Sequence, residues 1–200
     1  MAAVRDAVQS PDAERRFLLS GVPWAAYVTL RDALDDSHVH MTYLDGSLEL
    51  MSPSERHEED GTLIARLLEA WAEEYDIDLR GFGGATFRSE AKARGLEPDE
   101  CYTIGPKAAG VPPQLAIEVV VSNPLLDKLE VYAGLGVAEV WVWHSTSRNF
   151  AVHRLTAGRY EPVASSELLE GLDLAVLGSF VRGGENHTAL VKAYRAALHR

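Results

Sequence analysis

The sequence predicts an α/β (α+β) fold in one domain, on three observations. Short runs rich in β-branched and apolar residues, chiefly Gln114–Val121 and Ala138–His144, read as buried or half-buried strands. Elsewhere apolar residues recur at helical spacing, as in Leu63, Ile64, Leu67, Leu68 and Trp71, so strands and helices alternate along the chain. A length of 200 residues with 46% apolar and 24% charged side chains fits a single domain with a sizeable core. That domain is expected over residues 17–200, after a polar, unpatterned stretch over residues 1–16 whose start lacks fixed structure.

The elements follow in order. Pro23–Leu34 reads as a short helix, with Pro23 suited to the first turn and Trp24, Tyr27, Val28 and Leu34 on one face. His38–Met51 contains two alternating runs about Asp45-Gly46, a dipeptide that favours a two-residue hairpin turn. His38 and His40 then share the face opposite Met41 and Tyr43, and lacking a third ligand nearby they read as surface residues. Ser52-Pro53-Ser54-Glu55 predicts a helix start with Ser52 as N-cap, and the helix runs to about Tyr75. His57 tends to point inward on it. The Gly81–Gly84 run completes no phosphate-loop motif, so it predicts a bend before a strand at Ala85–Arg88. Lys92, Arg94 and Gly95 read as loop, and Glu97-Pro98-Asp99 opens a strand to Ile104, which leaves Asp99 near solvent. After the Gln114–Val121 strand a helix is expected from about Leu125 to Gly134, carrying Lys128 and, one turn on, Tyr132. Trp141 and Trp143 alternate on the next strand and read as core. A hairpin pairs Asn149–Leu155 with Tyr160–Ala164, Leu172–Phe180 reads as a short strand or turn, and Asn186 caps a final amphipathic helix.

Several function classes are disfavoured by composition. No apolar run approaches the roughly 18 residues that cross a bilayer, and the charged N-terminus has no signal-peptide core, so a cytoplasmic protein without membrane contact is expected. Cys101 is the only cysteine, which excludes an internal disulfide and a cysteine-rich zinc site and suits a small buried hydrophobe. A net charge of -11 argues against coating nucleic acid by bulk electrostatics. The excess is local, however: residues 1–78 carry 17 acidic and 6 basic side chains, and residues 79–200 carry 13 of each.

The residue that most needs an explanation is Glu118. A carboxylate in the middle of an apolar strand must be protonated, paired or bound to a cation. Asp99 at one strand, Glu118 on the next and Lys128 nearby make a minimum set for metal-assisted phosphodiester hydrolysis. The carboxylates hold Mg²⁺ or Mn²⁺ as hard oxygen ligands, and the lysine positions water or stabilises charge on phosphorus. The same residues also read as a structural ion pair of Glu118 with Lys128.

The order of the surrounding motifs sharpens this reading. Asp45-Gly46 with Leu50-Met51-Ser52-Pro53 and His57, then Glu97-Pro98-Asp99, then Ile117-Glu118-Val119 with Ser122, then Lys128-Leu129-Glu130-Val131-Tyr132, then Gly136-Val137-Ala138-Glu139-Val140-Trp141 resemble the bacterial Uma-two family. Its members are restriction-endonuclease-like proteins of the PD-(D/E)xK nuclease superfamily. The resemblance runs from about Trp24 to Phe180 and is most specific from Glu118 to Trp141. It implies a mixed sheet flanked by helices, a divalent-metal nuclease site acting on nucleic acid, DNA before RNA, with Asp99 and Glu118 as metal carboxylates and Lys128 as the lysine. His57 or Glu58 would occupy the helix position bordering the site. Val120 stands in the superfamily's usual lysine place, which is why the lysine must come from the following helix, and His144 stands where the family commonly has an aspartate. A homodimer is expected because two-fold symmetry serves paired cuts in a duplex. The rival readings are a non-catalytic binding or regulatory module that keeps the fold, and a small-molecule metal hydrolase using His57 and His144.

Overall fold

A computed structural model describes residues 14–34, 37–83, 85–106 and 111–199. Two sheets carry the fold. The first contains β1 (Arg15–Ser20), β2 (His40–Leu44), β3 (Ser47–Ser52), β5 (Phe87–Ser89) and β6 (Arg94–Leu96), all antiparallel, in the order β1-β3-β2-β6-β5. The second contains β4 (Leu79–Gly81), β7 (Glu100–Ile104), β8 (Leu115–Val120), β9 (Glu139–His144), β10 (Asn149–Thr156) and β11 (Arg159–Val163), ordered β11-β10-β9-β8-β7-β4. Among the described residues only β8 and β9 pair in parallel, with Glu118 opposite Val142, so the second sheet is mixed. A parallel pair needs a crossover connection, and α3 (Lys128–Leu135) supplies it.

The helices α2 (Glu55–Glu74), α4 (Leu174–Ser179) and α5 (His187–Leu198) pack together on one face of the mixed sheet. Alternate residues of β8 and β9 face them: Leu115, Ile117 and Val119, then Trp141 and Trp143, all in the main core as expected. Leu63, Ile64, Leu67 and Leu68 of α2 are fully buried against this face, each contributing roughly 1.5–3 kcal/mol of transfer free energy. The opposite face presents Ala116, Glu118 and Val120 toward α3, whose Val131 and Tyr132 form a second core with Val137 and Val140. Because α3 also touches β2, β5 and β6, it lies between the two sheets. The short α1 (Trp24–Ala33) covers the first sheet through Tyr27, which stacks on Tyr43 at 4.8 Å.

Local signals set several boundaries. Asp45 and Gly46 both adopt positive φ (46° and 86°), as the tight hairpin turn requires. Asn186 and Asp173 cap α5 and α4 through side-chain acceptors, and Asp127 caps α3 by accepting from Leu129 N and Glu130 N.

Five expectations are corrected. Ser54, not Ser52, caps α2 and accepts from His57 N, because Ser52 is still committed to β3 opposite Arg15. Leu172–Phe180 holds α4 rather than a strand. Arg94–Leu96, read as loop, forms β6: it pairs with β2 and β5, and Gly95 there leaves room for the Tyr27 ring, whose Oη would lie 2.3 Å from a Cβ. Arg15 and Arg16, at the end of the stretch expected to be unpatterned, open β1, which pairs along its whole length with β3; residues 1–13 lie outside the described residues. Asp99 is not near solvent, since its side chain is only 6% exposed.

Candidate functional site

The site is assembled where β8 meets its neighbours. Glu118 lies 3% exposed in mid-strand and projects toward α3. The ammonium of Lys128, the first residue of α3, bonds to Glu118 Oε2, and the Tyr132 hydroxyl one turn later donates to Oε1. The Asp127 cap fixes the first turn of α3, so a chain-local signal aims both groups at the strand. Burial pushes the Glu118 carboxyl upward and so does Asp99, with Lys128 and Tyr132 acting against them. The Lys128 ammonium would be discouraged by burial, but Glu118 and Asp99 hold it above its ordinary value.

Asp99 stands just ahead of β7, one strand over. Its Oδ2 accepts from Val119 N at 2.6 Å, which anchors the carboxylate to the backbone beside Glu118. Its Oδ1 lies 3.1 Å from His57 Nε2 and 3.3 Å from His40 Nδ1, angled so that neither contact is a hydrogen bond. Burial alone would raise this carboxyl, yet His57, His40 and Lys128 together hold it well below the usual carboxylate range. The other ring nitrogen of His57 lies 2.8 Å from Glu14 Oε1. Burial disfavours the imidazolium, but two flanking carboxylates outweigh it and push His57 up to about 10. His57 is therefore cationic at neutral pH.

Glu14, immediately before β1, closes the cluster and its side chain is fully buried. Burial would raise its carboxyl, but His57, Ser122 and Arg16 bring it down to about 2. Its Oε2 takes bonds from Ser122 N at 3.1 Å, from the Ser122 hydroxyl and from Arg16 Nη2 at 3.2 Å. Arg16 pairs in turn with Glu49 of β3, and Glu49 Oε2 accepts from Leu125 N and Leu126 N at 2.9 Å each. The β8–α3 loop that delivers Lys128 is thus tied to the first sheet at both ends.

The structure brings together Asp99, Glu118, Lys128 and His57, the four residues that the sequence singled out. Glu58 is exposed and shares with His40, His57, Asp99 and Glu100 a cavity of about 220 Å³ on the Asp99 side. His144 lies apart from His57, on the α3 face of the sheet. Cys101 is buried, as expected, and its thiol donates to Gly83 O at 3.2 Å. Sequence reasoning missed Glu14 and His40. Glu14 carries no periodic signal, and His40 reads as a surface residue in the sequence because its partner, Asp99, is 59 positions away.

A divalent cation can be weighed against these donors. Among the described residues no group of three or more His, Cys, Asp and Glu is arranged as a metal cage. Mg²⁺ commonly uses only one or two carboxylates, completed by water and substrate phosphate. Asp99 and Glu118 fit that requirement. Asp99 Oδ1 is a buried carboxylate oxygen without a hydrogen bond that faces the His57 and His40 rings at 3.1 and 3.3 Å, and the two oxygens of Glu118 are held by Lys128 and Tyr132, so a cation would displace Lys128 from Glu118.

The site is thus two buried acids, Asp99 and Glu118, beside Lys128 on a mixed sheet with helices on both faces. The chain belongs to the Uma2 family, described as "Putative restriction endonuclease", which matches residues 24–182. Among solved structures it is similar to "a putative nuclease belonging to DUF820 from Anabaena variabilis ATCC 29413", with 13% identity, 77% of this chain and 90% of that chain covered, and a TM-score of 0.44. No curated protein matches the chain. Among the described residues no helix is long and apolar enough to cross a membrane.

Proposed function

We propose that the protein is a divalent-metal-dependent endonuclease that hydrolyses phosphodiester bonds of nucleic acid, DNA before RNA. The observation that carries this reading is the buried pair of Asp99, just ahead of β7, and Glu118 on the neighbouring β8, with the Lys128 ammonium held on Glu118. Asp99 and Glu118 would hold Mg²⁺ or Mn²⁺, and the bound ion supplies Lewis-acid polarisation of the phosphate and a water of lowered pKa. Lys128 exchanges Glu118 for a non-bridging phosphate oxygen, where its charge offsets the negative charge that develops in the transition state. Tyr132 keeps Glu118 oriented through Oε1 during that exchange. His57 is unsuited to general-base work at neutral pH because it is already protonated; as a cation between Glu14 and Asp99 it fixes the Asp99 rotamer. In the same reading the enzyme works as one domain that includes Glu14 and β1, in the cytoplasm, as a homodimer.

A second reading is a nuclease-fold module without activity. The occupied oxygens of Glu118 favour it, since Lys128 and Tyr132 form a closed structural set with it. Calorimetric titration of Mn²⁺ into wild type, Asp99→Ala and Glu118→Ala, alongside plasmid nicking, separates the two. Loss of binding and of nicking in both variants supports the nuclease. A wild type that takes up no Mn²⁺ sinks it.

A further inference from the structure

The face of the mixed sheet that carries Glu118 also floors a second cavity, of about 240 Å³. It shares no lining residue with the Asp99 cavity, and both Glu118 and Lys128 line it. Val120 and Val142, from adjacent strands, make an apolar floor, and Leu126 from the loop before α3 and Leu129 from its first turn make the wall. Asn123, His144 and His153 stand at its polar rim, and none of their side chains makes a hydrogen bond among the described residues. Of the catalytic set only Glu118 and Lys128 reach this space, and Asp99 and His57 do not line it. A slot with an apolar floor, unused donors and acceptors at its edge and a charged group at one end suits a flat heterocycle attached to an anion.

We propose that this cavity receives one unstacked nucleobase of the substrate strand, while the adjoining phosphate lies at Lys128. The proposal rests on the nuclease reading and adds to it a substrate preference. A base can enter only after leaving the helical stack, which costs least in a single strand or at a mismatch. One base held in a slot also gives a chain of net charge -11 a short-range grip on nucleic acid that does not depend on a basic surface.

The test uses the full-length protein with Ca²⁺ in place of Mn²⁺ and a single-stranded oligonucleotide carrying one 2-aminopurine and a terminal fluorescein. Anisotropy reports binding and 2-aminopurine emission reports unstacking, while plasmid nicking in Mn²⁺ is followed separately. Binding to wild type is expected to raise the emission. Val142→Phe, which fills the slot from its floor, is expected to weaken Kd about tenfold and abolish the rise, and Asn123→Ala, which trims its exposed rim, is expected to weaken Kd about threefold and lower the rise. The second variant stands on a loop, so it reports even where the first perturbs the sheet. Bound oligonucleotide with unchanged emission, or wild-type binding by both variants, overturns the pocket while intact nicking leaves the nuclease standing. An oligonucleotide that does not bind, together with no nicking, removes both.

Discussion

Replacing Lys128 by Met isolates what holds Glu118 inside the fold. Glu118 is 3% exposed and Lys128 12% by side chain, so the pair is shielded from solvent and little screened by salt. Lys128→Met leaves a buried carboxylate whose remaining side-chain partner is the Tyr132 hydroxyl. Breaking a buried pair from one side costs about 3–5 kcal/mol, and for a domain of this size each 1 kcal/mol lowers Tm by roughly 2–4 °C. A fall in Tm of about 10 °C is therefore expected at pH 8. The loss should shrink as pH falls, because the unpaired Glu118, already pushed upward by burial, then takes a proton and sheds its charge. Glu118→Gln with Lys128→Met removes both charges and leaves an amide oxygen to accept from the Tyr132 hydroxyl, so the double variant should recover most of the loss. Urea denaturation of wild type, the two single variants and the double variant gives the coupling energy, expected at about 2–4 kcal/mol. A Lys128→Met protein within about 1 kcal/mol of wild type, or a double variant as unstable as the sum of the singles, would refute the buried-pair argument.

Two further outcomes follow from the surrounding network. The His57, Ser122 and Arg16 contacts hold the Glu14 carboxyl down to about 2 against an ordinary 4.5, so it contributes stability that is present above pH 4.5 and is lost as pH falls toward 2, amounting to about 1–2 kcal/mol after solvent screening. Glu14→Gln should lower stability at pH 7 and flatten that acid limb in urea titrations followed by tryptophan fluorescence; an unchanged limb would mean Glu14 is not held there in solution. Glu139, 1% exposed, accepts from Trp141 Nε1, Ser166 Oγ, Glu167 N and Leu168 N, so Glu139→Ala strands several buried donors and should cost about 3 kcal/mol or more, with faster proteolysis near Ser166. Glu139→Gln, which keeps an acceptor, should cost clearly less; equal losses in the two variants would contradict the hydrogen-bond account.

The sequence by itself determined what short-range chemistry decides. The Asp45-Gly46 turn, the amphipathic α2, the apolar β8 and β9 and the Asn186 cap each depend on residues a few positions apart, and all appear where their patterns place them. Glu118 was legible for a related reason: a lone carboxylate in an apolar strand demands a partner, and Lys128 lies only ten residues on. Tertiary structure alone decided the rest. Ser52 could have capped α2, but pairing with Arg15 claimed its backbone first, and the strand containing Arg15 exists only because β3 offers an edge. Asp99 looked solvent-facing until His40, His57 and Val119 N enclosed it from three separate elements. Glu14 reaches His57 across 43 positions and Ser122 across 108, and its low pKa comes from charges that the unfolded chain holds far apart. Electrostatic fields depend on distance in space, so the pattern of residues names the acids and the lysine, while only the folded chain sets which of them carry charge and where they point.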